Sequence, residues 1–100
     1  IAQEYIRSHI DRQISLEEVS EKAFVSPGYL STLFKERTGK NFSDYVIEMR
    51  IDEAKRLLRS ATYSISEVAE QVGYADARHF SKVFQKIVGI KPTSYRKFYV

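Results

Sequence analysis

Apolar residues recur along this chain at three-and-four spacing, in several short runs and one long one, so an all-α fold is predicted in which each helix buries a single stripe. The long run is NFSDYVIEMRIDEAKRLLR, residues 41–59. Its stripe is Phe42, Val46, Met49, Ala54, Leu57 and Leu58, with Tyr45 and Ile51 beside it, and no Gly or Pro interrupts it. Asn41 or Ser43 is placed to cap its start, and Lys55, Arg56 and Arg59 crowd its last turns, where cations suit the negative end of the helix dipole. At about 1.5 Å per residue this rod is roughly 25 to 28 Å long.

Shorter helices flank it. Ile1–Ile10 reads as a first helix with Ile1, Tyr5, Ile6 and Ile10 on one side. Ser15 followed by Glu18 is a capping-box pattern that opens a second helix of about two turns, with Leu16, Val19 and Ala23 apolar. Phe24 and Val25 then form a tight connection without glycine. Ser26-Pro27 restarts the helix, with Ser as N-cap and Pro at the first position, and Gly39 ends it. In this third helix Leu30, Leu33, Phe34 and the stem of Arg37 are expected to face inward, leaving Gly28, Ser31, Thr32 and Lys35 outside.

Beyond a break at Ala61–Tyr63 the pattern starts again. Ser64 and Glu67 stand in the capping-box relation, Gly73-Tyr74-Ala75 turns the chain, and Asp76 caps the next helix, which stops at Gly89. Phe80, Val83, Phe84 and Ile87 form its predicted inward stripe; Ala77, Arg78, Ser81, Lys82 and Gln85 are left outside. Pro92 opens a closing helix that runs to Phe98.

The two halves correspond residue by residue. At a shift of 49, Ser15 meets Ser64, Glu18 meets Glu67, Val19 meets Val68 and Glu21 meets Glu70. One extra residue enters at the second turn, and at a shift of 50 Ser31 meets Ser81, Phe34 meets Phe84, Gly39 meets Gly89 and Tyr45 meets Tyr95. Two copies are too few for a solenoid but suffice for a duplicated helix-turn-helix: residues 1–40 as one subdomain, 41–60 as a linker helix and 61–100 as the second. Each copy pairs a short support helix with a second helix whose outer face lacks bulky apolar groups, which suits a major groove. Successive major-groove faces on one side of B-DNA lie about 34 Å apart, so the rod with lobes at its ends is suited to placing both second helices in adjacent grooves.

Composition narrows the class further. There are no cysteines, so disulfides and thiolate metal sites are excluded, and His9 and His79, far apart in sequence, are the only histidines. No activated nucleophile, phosphate loop or paired-carboxylate site is visible, so neither enzyme activity nor a cofactor is expected. Apolar runs stay short of membrane-spanning length and no signal sequence is seen, so a cytoplasmic protein is expected. The chain reads as an excised C-terminal part of something larger. Net charge is only +3, but after Asp76 there is no acidic residue while Arg78, Lys82, Lys86, Lys91, Arg96 and Lys97 all follow, a block that fits either a solvated face or a polyanion-binding one.

Ile65, Glu67-Val68-Ala69, Gly73-Tyr74, Asp76, Phe80-Ser81, Phe84, Lys86, Gly89, Pro92 and Tyr95-Arg96, with Gly39, Phe42, Tyr45, Arg50, Ala54 and Leu57-Leu58 between the repeats, closely resemble the DNA-binding domain of the AraC/XylS family of bacterial transcription regulators. The resemblance runs from Tyr5 to Arg96; the family usually has Phe in place of Tyr74 and an aromatic in place of His79. It implies seven helices and two helix-turn-helix units reading adjacent major grooves of double-stranded DNA. By position it implies base-reading at Gly28, Ser31 and Thr32 with Lys35 near phosphate in the first unit, and at Ala77, Arg78, Ser81 and Lys82 in the second. The segment GYADARHFSKVF looks most like members whose N-terminal part is a phosphoacceptor receiver domain or a membrane-bound sensor. That N-terminal regulatory domain is an implied partner, and RNA polymerase a further one.

Other residues have plainer readings. Arg50, on the buried side of the long helix, is read as an interior ion-pair or packing residue rather than a phosphate ligand. Glu67 is a cap, His79 an exposed helix residue close to phosphate, Tyr95 and Arg96 pins for the last helix, and Tyr29 and Tyr63 surface or packing aromatics. Two other functions fit the helical pattern: a protein-interaction module and a nonspecific nucleic-acid binder. Competition between specific and random DNA separates all three.

Overall fold

Caps and glycines set most helix ends in a computed structural model of the chain, which describes residues 2–100. Among the described residues there are seven helices: α1 (Ala2–Ser8), α2 (Leu16–Lys22), α3 (Pro27–Thr38), α4 (Phe42–Leu58), α5 (Ile65–Gln71), α6 (Ala77–Val88) and α7 (Pro92–Lys97). Ser26 starts α3 by accepting from the Tyr29 N–H at 3.2 Å, and Asn41, the one of the two candidates that caps α4, accepts from the Asp44 N–H at 2.8 Å. Gly39 and Gly89 end α3 and α6 in the left-handed region, at φ 75° and 99°, where a side chain would be strained.

The first helix is shorter than the predicted 1–10. It ends at Ser8, whose hydroxyl donates to the carbonyls of Glu4 and Tyr5 at 2.9 and 3.2 Å and so competes with the helical ladder. Ile10 lies in the turn that follows and is still buried; Ile1 lies outside the described residues.

The chain divides into two units, residues 1–49 and 50–100, with the division inside α4. In unit 1, Ile6, Ile10, Val19, Leu30, Phe34 and Val46 form the core, flanked by Phe42, Tyr45 and Met49 from the first turns of α4. Phe34 meets Tyr45 at a ring separation of 5.0 Å. In unit 2, Ile51, Ala54, Leu57 and Leu58 of α4 are buried, as are Val68, Phe80, Phe84 and Tyr95, and Phe84 meets Tyr95 at 5.5 Å. The aromatic pair of one unit thus recurs fifty residues later in the other, with α7 taking the place that the start of α4 takes in unit 1. Arg59 donates to the Tyr95 hydroxyl at 3.3 Å, and Arg96 Nε donates to the Leu58 carbonyl at 3.1 Å, so both pin α7 to the end of α4 as the sequence suggests.

Two further expectations are corrected. Ile87 follows the inward stripe of α6 in angle, yet it is 49% exposed. Twelve-residue α6 is roughly 18 Å long and seven-residue α5 roughly 10 Å, so the support helix cannot cover its last turn. The second correction concerns Glu18. Ser15 caps α2 by accepting from the Glu18 N–H at 3.0 Å, but the Glu18 carboxylate is drawn away from a capping box to the hydroxyl of Tyr5 and the guanidinium of Arg12. Glu67 has no such neighbours and completes its box, accepting from the Ser64 N–H at 2.8 Å.

Candidate nucleic-acid interface

Both helix-turn-helix connections are built from the same hydrogen bonds. At the end of α2 the N–H groups of Ala23, Phe24 and Val25 donate to Val19, Glu21 and Ser20 at 3.0, 3.2 and 3.0 Å. At the end of α5 those of Val72, Gly73 and Tyr74 donate to Val68, Glu70 and Ala69 at 3.1, 3.1 and 2.9 Å. Each is a Schellman turn, which satisfies the last helical carbonyls but requires a left-handed residue at its pivot. Gly73 adopts φ 94° there, and Phe24 adopts φ 59°, the one non-glycine residue with positive φ among the described residues. The turn that reads as glycine-free therefore keeps the same shape by straining a phenylalanine, whose ring is 92% exposed.

Unit 2 holds its turn in place from α4. Arg50, 6% exposed, donates from Nη1 to the Gly73 carbonyl at 2.9 Å and lies over the Tyr74 ring at 5.6 Å. Burial pushes the Arg50 pKa down and that of Tyr74 up, and the Coulombic attraction between the two groups opposes both shifts. His79 is exposed, with its ring edge-on to Tyr74 at 5.3 Å. The turn-supporting role of Arg50 has no local signal in the sequence, because Gly73 is twenty-three residues away.

The second helix of each unit turns a polar face outward. On α3, Gly28, Thr32 and Lys35 are exposed and Ser31 is half-buried. On α6, Arg78 and Lys82 are exposed, while Ala77 and Ser81 are half-buried at the edge of the face, so these two and Ser31 present less surface than a fully outward position does. Asp76 caps α6 by accepting from the Arg78 N–H at 2.8 Å, fixing where the Arg78 side chain leaves the helix. Among the described residues no ion pair or hydrogen bond engages the side chains of Arg78 or Lys82, so both are available to an anion. Lys86, one turn beyond Lys82, is also exposed and extends the row of cations; stepping four residues on from Lys82 finds it. With the fifty-residue shift Gly28 stands where Arg78 does, and Thr32 where Lys82 does. Exposed Tyr29 stands where His79 does.

A support helix, a Schellman turn and a second helix with a free polar face, present twice, define a duplicated helix-turn-helix domain. Residues 19–97 match the family model described as a helix-turn-helix domain, and the chain belongs to the AraC type of that family. It is 33% identical over 92 residues to YobQ, an uncharacterised HTH-type transcriptional regulator of Bacillus subtilis, covering 92% of this chain and 38% of that protein. The chain therefore spans less than two fifths of that regulator's length. Among solved structures it resembles the C-terminal domain of the two-component response regulator yesN from Fusobacterium nucleatum, with 38% identity, a TM-score of 0.84 and coverage of 95% of this chain and 93% of that one. It also resembles the DNA-binding domain of the global transcriptional factor AdpA in complex with a target DNA, with 26% identity, a TM-score of 0.88 and coverage of 98% and 88%. The family is one of transcription regulators, which is not an enzyme class. No helix of the described residues is long and apolar enough to cross a membrane.

Proposed function

We propose that this chain binds double-stranded DNA sequence-specifically for a bacterial transcription regulator, laying α3 and α6 in adjacent major grooves. The observation that carries the reading is the pair of matched turns, each presenting a second helix whose outward face holds small, polar or cationic groups. AdpA's domain in complex with its target DNA supports the same use of the fold. Arg78 and Lys82 carry most of the direct contact: a guanidinium can bridge guanine O6 and N7, and an ammonium supplies a single charged donor to base or phosphate. Ser31, Ala77 and Ser81 pack at the groove wall, and Lys35 meets phosphate. A receiver domain elsewhere in the parent protein is the proposed regulatory partner, supported by the likeness to the response regulator yesN, and RNA polymerase is the proposed downstream partner.

The test is a gel shift with a duplex enriched from a random library. Arg78→Ala together with Lys82→Ala is expected to lower specific affinity at least tenfold, the value of one bidentate base contact or more. It should also reduce the salt dependence by about one unit of slope per lost phosphate contact. Unchanged specific binding in the double variant rejects the site; failure to enrich any sequence over random DNA favours a nonspecific binder if random DNA is still shifted and a protein-interaction module if it is not.

A further inference from the structure

We infer that α3 selects thymine through the methyl group of Thr32, and that Gly28 has no side chain so that this part of the helix can come close to the base edges. This rests on the DNA-binding reading above and assigns the base that unit 1 recognises.

Nothing in the fold calls for a glycine at residue 28. It lies in the first turn of α3, outside the left-handed region that Gly39, Gly73 and Gly89 occupy. A Cβ built there meets no atom within 4 Å. Helix propensity favours alanine over glycine in such a segment, so the bare backbone is a local disadvantage that internal packing does not explain. What it provides is proximity: a partner lying against α3 can approach at Gly28 by the width of a side chain.

Thr32 is one turn further on, on the same face, and exposed. Its hydroxyl donates to the Gly28 carbonyl at 3.1 Å, which occupies its single O–H and restricts χ1. What the helix leaves unengaged on this side chain is the methyl, together with the acceptor side of the oxygen, and no O–H remains to donate to a base. Between Gly28 and Thr32 this face carries no Arg, Asn or Gln able to make a bidentate pair with guanine or adenine, and Tyr29 lies about a quarter-turn away. In the major groove only thymine offers a methyl for an apolar contact. The corresponding positions of unit 2 hold Arg78 and Lys82, so the two second helices read by different chemistry on the same frame.

The test uses the 100-residue chain and a duplex it enriches from a random library. Each thymine is replaced in turn by deoxyuridine, which removes only the 5-methyl group. At one or two positions affinity is expected to fall about fourfold, the effect of burying one methyl. Thr32→Ser, which keeps the hydroxyl, should lose the same factor on the unmodified duplex and no longer distinguish thymine from uracil at those positions. Thr32→Val, which keeps methyls and drops the hydroxyl, should still distinguish them. Gly28→Ala should remain folded, with a thermal midpoint no lower than that of the parent chain, and bind more weakly. Thr32→Ser discriminating as well as the parent overturns the thymine assignment, and Gly28→Ala binding as tightly overturns the role of the glycine. If no sequence is enriched at all, the reading of sequence-specific DNA binding itself fails, a result distinct from both.

Discussion

Phe24 carries two unfavourable features at once: a left-handed backbone, costing about 1–2 kcal/mol in an L-residue, and an aromatic ring 92% exposed to water. Its counterpart Gly73 adopts the same conformation without strain. Phe24→Gly is therefore expected to stabilise unit 1 by about 1 kcal/mol, seen as a higher urea midpoint in helical circular dichroism, because no buried contact is lost. A lower midpoint would mean that the ring contributes packing which its exposure does not suggest. Arg50 shows the opposite case, a cation taken out of water because the Gly73 carbonyl and the Tyr74 ring receive it.

At the level of elements, α1 is held to α2 by Tyr5 and Arg12 converging on Glu18. Hydrogen bonds from Arg12 and Tyr5 hold the Glu18 carboxyl at about 2, below its ordinary value of 4.5. A carboxyl depressed in the folded state contributes stability that is complete above its unfolded value and lost as pH falls through the folded one. Docking of α1 should therefore weaken from about pH 4.5 downward and be lost near 2. Amide exchange in α1 followed against pH checks this. Glu18→Gln should show faster α1 exchange already at neutral pH, with the acid-dependent step removed; an α1 whose exchange ignores both changes would show that apolar burial of Ile6 and Ile10 alone anchors it.

For the whole molecule, the proposed engagement of adjacent grooves by the two units predicts that phasing matters. Inserting about five base pairs, half a turn of duplex, between the two half-sites should reduce affinity to that of a single unit, whereas a full-turn insertion leaves more of it if the protein can span the gap. A footprint unchanged by the half-turn insertion would show that one unit does all the reading. Because Arg78, Lys82 and Lys86 sit on α6 while Lys35 and Glu36 are neighbours on α3, the salt dependence should follow the unit 2 half-site more strongly.

By itself the sequence determined the helices and nearly all their ends. Ser26, Asn41, Ser64 and Asp76 cap, and Gly39 and Gly89 terminate, through bonds to residues at most four positions away, so the information is local. The duplication was equally legible, because it is a matter of order and spacing, and so were the exposed positions of the candidate face at Gly28, Thr32, Lys35, Arg78 and Lys82. Only the tertiary structure decided where Glu18 sends its carboxylate, how Phe24 serves as a pivot, what Arg50 supports and why Ile87 stays uncovered. Apart from Phe24, whose turn bonds are local but whose left-handed backbone is disfavoured for its residue type, each of these depends on a partner farther along the chain or on the length of a neighbouring helix. Periodicity fixes the direction a side chain takes from its own helix, but not what stands opposite it.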